Sequence, residues 1–267
     1  TEVYMELIED ALNKGKTKYS VPALENAFAI LSLLSRTRFR ESTVTEIANA
    51  LSLSPATCYR ILQSLEKLSI VRYLENKKRY TLGPYLVVLG ERAKEHLDYI
   101  SIIMPYLERL TKETGMTSFL VNKINDEKLA IMAKVEASDF GVSVSIGRHF
   151  SIVDGSFGMC FLAYLDKDLR DLYLKQERGL KTFSNEDLVL MDENIEKIRH
   201  NGYYITYGEY LKGMCGIAAP IISLGNTVEM SISLIGSTSQ YDLEDLQKRA
   251  LLIKDAASQI SKQIRSF

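Results

Sequence analysis

Apolar side chains recur at helical spacing three times between residues 22 and 68, then alternate between 70 and 82. Leu24, Ala27, Phe28, Leu31 and Leu34 fall on one face of a helix that Pro22 opens, its fixed φ suiting a first helical position. Thr43-Val44-Thr45-Glu46 has the form of a capping box, and Ile47, Ala48 and Leu51 complete a short helix behind it. Ser54-Pro55 reads as an N-cap followed by proline at the first helical position. The helix it starts runs to about Leu68 and carries the stripe Cys58, Ile61, Leu62, Leu65, Leu68. Ile70–Leu74 and Arg79–Leu82 flank the polar turn Glu75-Asn76-Lys77-Lys78, which predicts a hairpin. Ahead of all this, Leu7, Ile8, Ala11 and Leu12 predict a short extra helix within an N-terminal extension, residues 1–20.

Beyond Gly83-Pro84 the pattern changes character. A helix over Tyr85–His96 serves as a linker (84–98), and another runs from about Ser101 to Glu113 and stops at Gly115. Strands are expected near 117–124 and 128–136 around an Asn125-Asp126 turn, and near 141–146. Helices follow near 156–175 and 184–200, then strands near 203–207, 216–223 and 227–236, with Gly225-Asn226 as a tight turn. A helix from about Asp242 to Ile264 closes the chain. Residues 99–267 therefore read as an α+β domain behind a helical and hairpin head at 21–83.

Composition narrows the function. The chain has 267 residues, enough for two domains of about 100–150 residues each. Cys58, Cys160 and Cys215 contain no CxxC, and with His96, His149 and His200 they form no metal-ligand spacing, so no metal and no cofactor are expected. There is no apolar run of about 18 residues, and the acidic start is unlike a signal peptide, so a cytoplasmic protein without membrane contact is expected. The net charge of −1 is unevenly placed. Residues 20–84 hold nine Lys/Arg against five acids, which makes that stretch +4 and the remainder −5. Such an asymmetry suits a head that meets an anionic polymer.

The helix behind Ser54 supplies the matching chemistry. Opposite its apolar stripe it displays Ala56, Thr57, Tyr59, Arg60, Gln63, Ser64 and Lys67, with no acid among them. Small residues permit close approach to a major groove, an amide and Arg read base edges, and hydroxyls meet phosphates. The helix start at Ser54 suits a phosphate, and Lys77, Lys78 and Arg79 at the hairpin suit the flanking backbone. Capped helix, short turn, capped amphipathic helix and basic hairpin, in that order, spell a winged helix-turn-helix. A winged helix used for protein contacts only is the alternative. An enzyme would use Cys160 or Cys215 as nucleophile, His149 or His200 as base and Asp154 or Glu209 to orient it. Cys160 lies in an apolar run, however, and no nucleophile elbow, Walker loop or paired carboxylates are present. No catalysis is expected.

These fragments resemble the IclR family of bacterial transcriptional regulators across roughly residues 21–265. The resemblance rests on Val21–Leu31, Thr45–Leu51, Ser54–Leu62 and Arg79-Tyr80-Thr81-Leu82-Gly83 in the head. In the second domain it rests on Gly202-Tyr203-Tyr204, Glu209–Gly213 and Ile217-Ala218-Ala219-Pro220-Ile221. It implies a GAF/PAS-like effector-binding domain whose pocket is lined by a curved sheet, a helix start and the loop before the Ile-Ala-Ala-Pro strand. Carried onto this chain, the pocket comprises Ser156, Phe157, Gly158, Thr206, Met214, Gly216, Ser233 and Ile235. The helix start at Ser156–Gly158 would receive the carboxylate of a small acid, with Gly158 leaving room for its approach.

Departures from the family pattern point to a less polar ligand. Met159 stands where a basic residue is frequent, Cys215-Gly216 where Arg-Cys is frequent, and Thr206 where an acid occurs. With Phe157 and Ile235 adding apolar bulk, an aromatic or longer-chain acid is expected. A single winged helix reads too few base pairs to be selective, so a homodimer, or a dimer of dimers, on a palindromic double-stranded operator is expected. Leu86, Val87, Val88 and Leu89 of the linker, with the first helix of the head, would make the contact.

Overall fold

The computed structural model describes residues 21–95, 97–125, 128–138, 142–178 and 185–264. The helix expected within 1–20 lies outside the described residues, as do His96 and Asp126. The chain divides into two compact units, Thr1–His96 and Leu97–Phe267.

The first unit comprises α1 (Pro22–Leu34), a 3-10 turn (Thr37–Phe39), α2 (Val44–Ala50), α3 (Pro55–Lys67), β1 (Val71–Leu74), β2 (Arg79–Leu82) and α4 (Tyr85–Glu95). The capping box before α2 is complete, with Thr43 Oγ1 accepting from Glu46 N–H and Glu46 accepting from Thr43 N–H. Ser54 Oγ caps α3 by accepting from Thr57 N–H at 3.1 Å. The core joins Ile30, Leu33 and Leu34 of α1, Ile47 and Ala48 of α2, and Cys58, Leu62 and Leu65 of α3 to Val71 and Tyr80. Each large side chain so buried contributes about 1.5–3 kcal/mol.

Two expected stripes are corrected here. Leu24 and Phe28 of α1 are 69% and 72% exposed, because α1 is apolar on nearly every side and docking turns Ile30, Leu33 and Leu34 inward. Leu68 is exposed too, since the chain leaves the helix there and Ser69 turns to φ +58°. β1 and β2 pair antiparallel, and Ser42 adds a short third strand by exchanging both backbone hydrogen bonds with Tyr80. At the base of this wing a Cβ on Gly83 would lie 2.2 Å from the Ser69 carbonyl oxygen, so only glycine fits.

The second unit is built on a six-stranded antiparallel sheet of β3 (Thr117–Lys123), β4 (Lys128–Val135), β5 (His149–Ser151), β6 (Tyr204–Tyr207), β7 (Met214–Ile222) and β8 (Val228–Ser237). The spatial order is β5-β4-β3-β8-β7-β6. One face packs on α5 (Asp98–Thr114) and α9 (Leu243–Ile264) through Leu107, Leu110, Ile217, Ile232, Ile253 and Ile260. The other face packs on α6 (Gly155–Leu162), α7 (Lys167–Arg178) and α8 (Asn185–Asn201). Gly115, at φ +71°, ends α5 in the left-handed conformation that glycine favours.

Three boundaries differ from expectation. α5 begins at Asp98 rather than Ser101. The helix expected over 156–175 is two helices, an apolar α6 buried from Ser156 on and a charged, amphipathic α7, separated by the turn before Lys167. Residues 142–146 are not a strand: Lys134 Nζ takes the Val144 carbonyl, Gly147 turns at φ +78°, and β5 forms the sheet edge instead.

Candidate functional site

The side of α3 opposite its apolar stripe lies open, with Glu66 at its border. Ala56, Tyr59, Arg60, Gln63, Ser64 and Lys67 are exposed and Thr57 is half-buried. Several of these groups are already engaged. Gln63 Nε2 donates to the Tyr80 hydroxyl at 3.1 Å and to Glu66 at 3.2 Å, which ties α3 to the wing. Ser64 donates to the Arg60 carbonyl and Ser54 to Thr57 Oγ1. Arg79 grips Glu46 with two guanidinium nitrogens, at 2.8 and 3.2 Å, and donates to the Glu41 carbonyl at 2.9 Å. Lys77 Nζ lies 2.7 Å from Glu41. Lys78, at φ +53°, is exposed at the turn. The basic hairpin is thus partly neutralised by two acids that sequence spacing did not connect to it.

These contacts are expected to tie the wing's stability to pH. Hydrogen bonding from Thr43 N–H, then Arg79, holds the Glu46 carboxyl below its ordinary 4.5, and the Lys77 hydrogen bond does the same to Glu41. A depressed carboxylate stabilises the fold above its unfolded pKa, and the contribution is lost as pH falls below about 4.5. Amide protection factors at Ser42 and Tyr80, taken against the intrinsic exchange rate at each pH, should therefore fall below that pH, and Glu46→Gln should remove much of the dependence. Protection factors that stay constant between pH 6 and about 3.5 would contradict the clamp.

In the second unit, register assembles the other candidate residues. Thr206 of β6 pairs with Gly216 of β7, and Gly216 with Ile235 of β8. The neighbouring row is Tyr204, Ala218, Ser233 and Phe119. A Cβ on Gly216 would sit 3.2 Å from Thr206 Oγ1 and 3.3 Å from Ser156 Oγ, so the missing side chain lets both hydroxyls converge. Ser233, 1% exposed, has a hydroxyl oxygen with no hydrogen-bond partner. Met214 and Ile235 are half-buried on the same strand faces.

Above the sheet, Phe157 packs edge-on against Phe150 and Phe119, with centroids at 4.8 and 6.2 Å. Asp154 precedes α6 but turns its carboxylate to Ser151 N–H instead of capping the helix. The Tyr210 hydroxyl is pushed up to about 12 by burial and by the Asp154 carboxylate it hydrogen-bonds, against the pull of Arg148. Arg148 in turn lies over the Phe150 ring at 5.0 Å. Gly158 is a correction: its absent side chain faces the chain itself, since a Cβ would lie 2.5 Å from the Ile152 carbonyl oxygen. Tyr204, Phe119, Phe150, Tyr210 and Arg148 join the site through register and packing, and of these only Tyr204 and Tyr210 fell within a motif singled out in the sequence.

All three cysteines are buried, and burial raises each thiol, Cys58 to about 11. Among the described residues no cluster of three His, Cys, Asp or Glu could hold a metal, and no helix is long and apolar enough to cross a membrane.

A family model described as bacterial transcriptional regulator IclR C-terminal matches residues 92–262, and one described as IclR helix-turn-helix domain matches 23–75. The chain belongs to the IclR family. Within this family it is 27% identical to the HTH-type transcriptional regulator KdgR of Escherichia coli K12, over 92% of this chain and 93% of that one. An IclR regulator from Alicyclobacillus acidocaldarius has the same fold at TM-score 0.83 and 33% identity, covering 91% of this chain and 99% of its own. An IclR homolog from Microbacterium hydrocarbonoxydans, solved with 4-hydroxybenzoate, shares the fold at TM-score 0.76 and 18% identity, over 92% and 100% of the two chains. The chain is accordingly an IclR-family transcriptional regulator with a helix-turn-helix DNA-binding domain and a C-terminal ligand-binding domain.

Proposed function

We propose that this regulator reads a palindromic operator as a homodimer and releases or grips it in response to a small organic acid with an apolar body. The observation that carries the reading is the exposed side of α3, which presents Tyr59, Arg60, Gln63, Ser64 and Lys67 and is held beside a braced wing by the Gln63–Tyr80 bond. In this reading Tyr59 and Arg60 read base edges, and Lys67 and Lys78 meet phosphates. Arg60→Ala should cost about 1–3 kcal/mol on the operator and little on random DNA. An equal loss on both would remove Arg60 from base readout.

Dimerisation is supported by an apolar surface that lies exposed among the described residues of its own unit. Val21 just before α1, Leu24 and Phe28 on it, and Val87, Val88 and Leu89 on α4 are all exposed, and α4 has no buried residue at all. Exposed apolar patches of this kind mark interfaces.

The ligand reading rests on Ser156 and Thr206 converging at Gly216, on the unpartnered Ser233 hydroxyl in the adjoining row, and on the packed rings of Phe119, Phe150 and Phe157. An aromatic or longer-chain acid satisfies both parts, the ring on Phe119, Phe150 and Phe157 and the polar end on the hydroxyls; the homolog solved with 4-hydroxybenzoate shares the fold. Because the Ser233 hydroxyl is unpartnered, Ser233→Ala should leave the free protein as stable or slightly more so, while weakening a bound acid by about 0.5–1.5 kcal/mol. Thermal shifts of the full-length protein against aliphatic and aromatic acids read both effects. A ligand that stabilises parent and variant equally would place Ser233 outside the site.

A further inference from the structure

We propose that the turn before α2 is a second DNA-backbone contact, in which Arg40 joins Lys78 on phosphates while Glu41 restrains Lys77. The proposal rests on the DNA-reading head described above and adds residues that the recognition helix and wing tip do not contain. The Ser42–Tyr80 bridge stitches this turn to the edge of β2, so residues 40 and 41 are carried at the side of the wing. The Glu41 carboxylate takes Lys77 Nζ at 2.7 Å, and its carbonyl takes Arg79 at 2.9 Å. The Lys77 hydrogen bond, and after it the charges of Lys77, Arg40 and Arg79, lower the Glu41 carboxyl, as cations gathered near one place would.

The local charge is unbalanced. Arg38, Arg40, Lys77, Lys78 and Arg79 are accompanied on this turn and hairpin by Glu41, Glu46 and Glu75, a surplus of two positive charges. Arg79 is spent on Glu46, and Arg38 lies over the Phe39 ring. Among the described residues, Arg40 and Lys78 have no ion pair or hydrogen bond from their side chains. Crowding free cations has no benefit for the fold, but a polyanion relieves the repulsion and gives up condensed counterions on contact. In the Lys77–Glu41 pair the lysine is exposed and the glutamate half-buried, so a phosphate can compete for Lys77, and Glu41 sets how hard that competition is.

The test uses the full-length protein and a random-sequence duplex, titrated between about 50 and 200 mM salt. Arg40→Ala should weaken binding by roughly three- to tenfold at low salt and flatten the log K against log salt slope by about one unit. Glu41→Gln should tighten binding and steepen the slope. Lys77→Ala should cost more in the Glu41→Gln background than in the parent, which a double-mutant cycle measures. Thermal melts of each variant check that the head still folds. Parent protein that binds no duplex in a salt-dependent way would defeat the DNA reading itself. Parent that binds, with Arg40→Ala and Glu41→Gln unchanged from it, would defeat this proposal alone.

Discussion

Gly158→Val is expected to destabilise the second unit rather than to block a ligand. An ideal Cβ there lies 2.5 Å from the Ile152 carbonyl oxygen and 3.0 Å from its carbon, and both are backbone atoms that cannot swing aside. α6 is buried from Ser156 to Leu162 between the sheet and α8, so at Gly158 it has no free side toward which to shift. Forcing a branched side chain into that contact should cost about 3 kcal/mol or more, at the upper end of overpacking penalties. For a unit of this size that is a fall in melting temperature of roughly 6–12 °C. Calorimetry of parent and variant decides the matter. A variant that melts with the parent and loses only its response to acids would restore Gly158 as a place of ligand approach.

Leu24→Asp combined with Phe28→Asp should separate the proposed dimer while the head stays folded. Both side chains are more than two-thirds exposed within their own unit, so neither contributes to its core. In the dimer, two charges on each protomer would be desolvated against Val87, Val88 and Leu89 of α4, at a penalty of several kcal/mol per buried ion. Sedimentation should find monomers at micromolar concentration, and operator affinity should fall by orders of magnitude because each half-site then binds alone. Unchanged sedimentation would move the interface to another surface.

Local devices were readable from the sequence because their partners are close in the chain. The Thr43–Glu46 box, the Ser54-Pro55 start and the Gly115 stop each involve residues within a few positions, and all are present. The inward face of α1 was not readable. Its sequence offers two overlapping apolar stripes, and only docking against α2 and α3 selects Ile30, Leu33 and Leu34. The wing shows the same limit in charge: Arg79 is 33 residues from Glu46, so spacing left it free when the fold does not. Resemblance supplied Ser156, Thr206, Gly216, Ser233 and Ile235. What brings them together is strand register, which a two-residue period alone does not specify.

The three buried thiols sit in three different layers: Cys58 in the head, Cys160 on the α6 side of the sheet and Cys215 on the α5–α9 side. Protonated and shielded, they meet an alkylating reagent only when their own layer opens. Labelling kinetics, read as mass increments on each peptide, would therefore time the opening of head and sheet faces separately without any introduced probe. An acid seated beside α6 should slow Cys160 first, and an operator duplex should slow Cys58.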